Sequence, residues 1–257
     1  MEKNLTVKQP LNDLVSHDVN KFSVFFSLIM RTLLFLVFGF AITGYFMLSG
    51  DDSPLKSAEK WWPFQAIFAN IITYFILKRF ARKEGISYIS LFHFEKGKGK
   101  KYAWETLWLV FVGLGLGGIS LYIFAFILFG SFIPPDLMFQ ELPVWALIIA
   151  IILFPLSNGL VETTTYIGYA LPRLKTITGR KWLAILFAGS ALALQHIALP
   201  IVMDGNYILW RFLSFVPLAL VLGYIFTKTK RLVPIAIAHF LMDLQLIIQL
   251  VMMTNLD

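Results

Sequence analysis

The spacing of apolar residues constrains this chain more than any other feature. About seven runs are long enough to cross a bilayer, because roughly 20 apolar residues in helical form span the hydrocarbon. They cover residues 22–48, 61–77, 107–132, 144–170, 182–199, 208–226 and 233–253. No polar stretch between them is long enough to fold as a soluble domain. Only 14% of the residues are charged and 58% are hydrophobic, whereas a soluble domain is roughly 25% charged. Hydrocarbon offers no water to the backbone, so each run must satisfy its own N–H and C=O groups as helix. The expected fold is all-α, a polytopic membrane bundle of about seven transmembrane helices.

The connecting segments set an orientation. With the N-terminus inside, 18 of the 22 Lys and Arg residues lie on the inner side, among them Lys3, Lys8, Lys78, Arg82, Lys98, Arg173 and Lys228. The outer segments carry Asp51, Asp52, Glu59, Asp136, Glu141 and Asp204. This is the asymmetry of the positive-inside rule. It predicts a multi-pass protein of the cell membrane with a cytoplasmic N-terminus. The net charge of +7 is then a matter of topology, and no nucleic-acid partner is expected. The first 21 residues are polar and no small-residue cleavage site follows the first run, so that run is expected to remain as an anchor. The chain has no cysteine, which excludes disulfides and thiolate chemistry.

Smaller features follow in order. Residues 86–94, apolar and aromatic between basic clusters, suit a short interfacial helix on the inner leaflet. Gly113 and Gly117 form a GxxxG pair that lets another helix approach closely. Pro155 is expected to kink the fourth run and Pro200 to end the fifth. Arg31 and Arg211 are expected to act as anchors or to snorkel.

Four ionisable residues lie where hydrocarbon tolerates them poorly: Glu162, His196, His239 and Asp243. Such groups usually face a cavity or a partner and usually have a function. A desolvated carboxylate is suited to general-base work on water. His239 and Asp243 are four residues apart on one helix and share a face, so Asp243 can orient the imidazole. Thr163, Thr164 and Thr165 follow Glu162, and at least two of their hydroxyls are expected to bond to the backbone one turn earlier. Depth raises a difficulty. Glu162 and His239 fall on the inner half of their runs, His196 near the outer end of its own. Either the fifth run extends past Pro200 or helices are tilted and broken.

This pattern resembles the CPBP intramembrane peptidases, the family of CAAX-processing and bacteriocin-processing or self-immunity (Abi) endopeptidases. The stretch from Glu162 to Leu174, ETTTYIGYALPRL, is similar to the family's EExxxR motif without gaps. Leu192 to His196 stands at the second motif, FxxxH, and His239 to Asp243 at the third, HxxxN/D. The resemblance covers roughly residues 140–250, so 1–135 read as a tail, three helices and a basic inner loop, and 136–257 as a CPBP-like core of four helices. Thr163 stands where the family has a second Glu, Ile167 where it has Arg, and Leu192 where it has Phe. The resemblance implies that Glu162 and His196 activate a water and that His239 and Asp243 hold the oxyanion, with no cofactor. It implies a peptide or membrane-protein substrate, and the short chain and divergent motif favour a bacterial peptide over a prenylated CAAX protein. Three alternatives stay open: a zinc site on the two histidines and two carboxylates, against which stands the lack of HExxH; a degenerate member that binds or scaffolds without cutting; and a proton-relay transporter, which would need broken repeats in both halves.

Overall fold

The computed structural model describes residues 19–254, so Lys3 and Lys8 lie outside the described residues. Each of the seven apolar runs forms a helix. We label them α1 (Lys21–Leu48), α2 (Trp62–Lys83), α3 (Gly99–Phe129), α4 (Val144–Thr178), α5 (Lys181–Ile197), α6 (Gly205–Thr229) and α7 (Val233–Thr254). No strand is formed among the described residues. Five of them, α1, α3, α4, α6 and α7, are long and apolar enough to cross a membrane. The other two depart from that standard for different reasons. α2 is long enough, but its last turns carry Lys78, Arg79, Arg82 and Lys83. α5 is apolar but stops at Ile197, a length of about 25 Å at 1.5 Å per residue. The chain is a polytopic helical membrane protein.

The side chains turned outward confirm which surface meets lipid. Phe25, Val37, Trp108, Ile123, Ile148, Ile152 and Leu186 are all exposed. Inside, one apolar cluster links Val24, Leu28 and Met30 of α1 and Leu77 and Phe80 of α2 with Tyr166 to Leu174 of α4 and Ile235 and Ala238 of α7.

α5 ends earlier than its apolar run. The fifth run was expected to continue as helix to Leu199. Instead the helix ends in a 3-10 turn at Gln195–Ile197, and residues 198–204 are not helical. Carbonyls exposed in this way must find donors. Gln65 of α2 gives its Nε2–H to Ala198 O at 2.7 Å. Arg211 of α6 donates to His196 O at 3.3 Å and to Leu199 O at 2.9 Å. Arg211, 4% exposed, therefore does not snorkel: it caps a helix that stops inside the protein.

The inner segment also differs from expectation. Residues 86–94 hold a single 3-10 turn, Ile89–Phe92, rather than a helix lying on the leaflet. Tyr88 and Leu91 turn inward and are buried, while Ile89 and Phe94 are exposed. Tyr88 donates its hydroxyl to Leu160 O at 2.9 Å, so the segment braces α4.

Three glycines lie against neighbouring helices. The GxxxG glycines do not serve one close helix: a methyl at Gly113 would run into the Met242 side chain of α7, and one at Gly117 would lie 3.3 Å from the Leu218 side chain of α6. At Gly159 in α4 a Cβ would sit 2.8 Å from the Ala236 carbonyl oxygen of α7. Backbone cannot yield there as a flexible side chain can. Gly159→Ala is expected to push α7 from α4 and to destabilise the protein by about 1–3 kcal/mol. Thermal unfolding in detergent micelles checks it, and an unchanged midpoint would refute the close approach.

Candidate functional site

The site begins with a local irregularity in α4. Pro155 has no N–H to give to the preceding turn, and just after it the helix widens into π turns at Asn158–Glu162 and Thr164–Ala170. Wide turns of this kind are rare and recur at functional sites. Here they free hydroxyl and carbonyl groups for other partners. Thr164 and Thr165 bond back to Leu160 O at 2.5 Å and Val161 O at 2.7 Å, as their position predicts. Thr163 does not. Its hydroxyl meets His239 Nδ1 at 2.8 Å.

Around Glu162 the side chains close into a ring drawn from four helices. Arg31 of α1 donates from Nη2 to Glu162 Oε2 at 2.9 Å. Its Nη1 donates to Asn70 Oδ1 of α2. Asn70 passes its own Nδ2–H to Asn158 Oδ1 at 2.7 Å and to Ser157 Oγ at 2.9 Å. Asn158 donates to Asp243 Oδ2 of α7 at 2.9 Å. His239 Nε2 then lies 3.4 Å from Asp243 Oδ2 and 3.8 Å from Glu162 Oε1. The structure thus brings Glu162, His239 and Asp243 together. Arg31 is fully buried and Glu162 is 3% exposed.

His196 stands at the edge of this ring. Its neighbour Gln195 accepts from Arg31 Nε at 2.6 Å, which places the α5 terminus at the level of Glu162. The His196 imidazole lies within Coulombic reach of Glu162, although no hydrogen bond or ion pair joins the two among the described residues. Its Nδ1 lies 3.0 Å from Leu192 O. A carbonyl oxygen only accepts, so Nδ1 carries the proton and Nε2 keeps its lone pair. Stacking on Phe215, with ring centres 3.6 Å apart, fixes the plane of the ring.

The same logic assigns His239. Its Nε2 faces two carboxylates, which makes it the protonated nitrogen. Nδ1 therefore accepts from the Thr163 hydroxyl. The donor at Nε2 makes no hydrogen bond in the structure, since both carboxylate oxygens stand beyond good bonding distance.

Arg31 corrects an expectation. It is no anchor, because a buried guanidinium without a carboxylate would be costly and Glu162 supplies the carboxylate. The signal was present in the sequence: one cation and one anion, each isolated in an apolar run, are natural partners. Asn70, Asn158 and Gln195 were missed because amides in membrane helices serve packing as often as chemistry. Gln195 is fully buried, and its Nε2 has no hydrogen-bond partner. Ile167, at the position of the family's Arg, is buried in the apolar core.

A second buried pair lies nearer the basic ends of the helices. Arg173 of α4 binds Glu84, at the end of α2, through both Nε and Nη2. Tyr169 also donates to Glu84 Oε1 at 2.9 Å, and the guanidinium lies 3.9 Å from the Tyr169 ring centre. This cluster pins α4 to α2 beneath the ring. Among the described residues no three His, Asp or Glu side chains are grouped to hold a metal ion; one oxygen of Glu162 is already engaged by Arg31.

Comparison with known proteins now adds to this geometry. Residues 143–245 match the family described as Rce1-like, type II CAAX prenyl endopeptidase Rce1-like. The match lies within the last four helices, α4 to α7. It contains Glu162, His196, His239 and Asp243, and it leaves out Arg31 and Asn70. No curated protein and no solved structure matches the chain.

The ring makes its own prediction. Asn158→Leu removes the donor to Asp243 and takes away the acceptor of one Asn70 N–H. The expected loss is about 1–3 kcal/mol, the cost of an unsatisfied buried acceptor. Denaturation in detergent measures it, and a variant as stable as the parent would show that the ring does not hold the helices.

Proposed function

We propose that the chain is a glutamate-type intramembrane endopeptidase that hydrolyses a peptide bond near the membrane surface. The single observation that carries this reading is the division of labour within the Glu162 carboxylate. Oε2 is held by Arg31, while Oε1 is left facing His239 across a 3.8 Å gap. A carboxylate held in this way stays charged and keeps one oxygen to take a proton from water.

Glu162 Oε1 and His196 Nε2 are the two acceptors for the protons of that water. The hydroxide formed attacks the peptide carbonyl carbon, and the carbonyl oxygen gains the charge. His239 Nε2–H, unbonded and held beside Asp243, is the donor placed to meet that oxyanion. An ionised carboxylate only accepts, so Asp243 contributes by holding His239 in place, with Asn158 holding Asp243. The proton taken by Glu162 then passes to the leaving amine, and the peptide bond breaks. The amides and hydroxyls of the ring are already oriented before substrate arrives, which is where such sites gain most of their effect.

The substrate is a peptide segment presented from the bilayer, with the N-terminus and basic segments of the enzyme on the cytoplasmic side. The second reading, binding or scaffolding without cleavage, is favoured by one observation: Thr163 stands where the family motif carries an acid. Arg31 weakens that reading, since it holds Glu162 as a paired carboxylate from another helix.

Glu162→Gln separates the two. In proteoliposomes with a panel of fluorogenic lipid-anchored peptides, prenylated CAAX sequences among them, the parent is expected to cleave at least one. The variant is expected to lose turnover by on the order of 10²- to 10⁴-fold, the usual worth of a general base. Unchanged cleavage in the variant sinks the glutamate mechanism; a parent that binds a panel peptide without cutting it supports the scaffold reading.

A further inference from the structure

The motif arginine is missing from α4, yet a guanidinium reaches Glu162 from α1. Arg31 lies 131 residues away in sequence and outside the segment that matches the family. Its three nitrogens have three different tasks. Nη2 holds Glu162 Oε2, Nε holds Gln195 Oε1, and Nη1 is braced by Asn70. A guanidinium only donates, so the oxygen of the Gln195 amide must face Arg31 and its nitrogen must face away. That nitrogen is buried beside the Glu162 carboxylate without a well-formed hydrogen bond to it. A donor and an acceptor so placed can share one water.

We propose that Arg31, braced by Asn70, is a positioning residue that orients Glu162 and Gln195 together, leaving one carboxylate oxygen and one amide N–H as an acceptor–donor pair for the attacking water. The inference rests on the endopeptidase reading above and adds to it. The water gives a proton to Glu162 Oε1, accepts a hydrogen bond from Gln195 Nε2, and keeps a lone pair for the carbonyl carbon. On this view α1 and α2 are parts of the reacting centre as well as its walls, and the four-helix segment alone is incomplete. Arg31 acts through the two side chains it holds and does not touch the substrate.

The test uses the full chain in proteoliposomes and has a readout that needs no substrate. A hydrophobic carbodiimide adds to protonated carboxyl groups within membranes and leaves a stable N-acylurea that mass spectrometry locates. Glu162 paired with Arg31 is ionised and is expected to stay unlabelled at neutral pH in the parent and in Arg31→Lys. In Arg31→Gln it is expected to be labelled. On the peptide that the parent cleaves, Arg31→Gln is expected to lower kcat on the order of 10²-fold, the usual result of a misplaced reacting group, with KM little changed and partial recovery in Arg31→Lys. Asn70→Ala keeps both charges and removes only the brace. It guards against misfolding of Arg31→Gln and is expected to lower kcat by less. Equal labelling of Glu162 in parent and Arg31→Gln overturns the proposal, whatever the chain cleaves. So does labelling of Arg31→Gln with unchanged kcat. Failure of the endopeptidase reading looks different: Glu162→Gln would still cleave.

Discussion

The bond between Arg31 and Glu162 is the interaction on which the rest of the structure depends. Each charge alone at that depth would cost several kcal/mol, by most accounts. Together, and with Asn70 and Gln195 each accepting from a further guanidinium nitrogen, they replace water by fixed dipoles. Removing one partner from a buried pair typically costs about 3–5 kcal/mol, because the other is left uncompensated. The pair therefore holds α1 against α4 more firmly than lipid-depth packing alone would, since lipid is as apolar as the helix surfaces it would have to give up.

Broken backbone is the second device, and it is kept safe in the same manner. α5 ends at Ile197, and α4 widens into π turns around Glu162. Both leave carbonyls that hydrocarbon would punish. Gln65, Arg211, Tyr88, Thr164 and Thr165 answer them one by one. α5 ends just past His196, and Gln195 beside it meets Arg31 of the Glu162 pair. Irregular structure is tolerated here because it is enclosed by protein.

Thr163 joins the two devices. In an ordinary helix its hydroxyl would bond to the previous turn, as those of its two neighbours do. Close approach of α7, allowed by Gly159, puts His239 Nδ1 at 2.8 Å instead. A hydroxyl at this position can donate to Nδ1 without adding charge. A carboxylate there would reverse the direction of the bond and draw a second proton onto the ring. The departure from the family motif thus changes the electrostatics of the centre and does not leave a hole in it.

Much of this was legible in the chain before folding. The meeting of Glu162 with His239 and Asp243 was read from the family resemblance and the cost of charge in hydrocarbon, while the seven helical runs and the threonine back-bonds follow from local rules, period and hydropathy. These rules act along one helix at a time. The pairing of Arg31 with Glu162, the place of Asn70 and Asn158 in the ring, the burial of Arg211, and the early end of α5 depend on which helix faces which, and at what height. Nothing in a single run encodes that. It is decided when the helices pack, because only then does each isolated polar group find the one partner that hydrocarbon and water fail to provide.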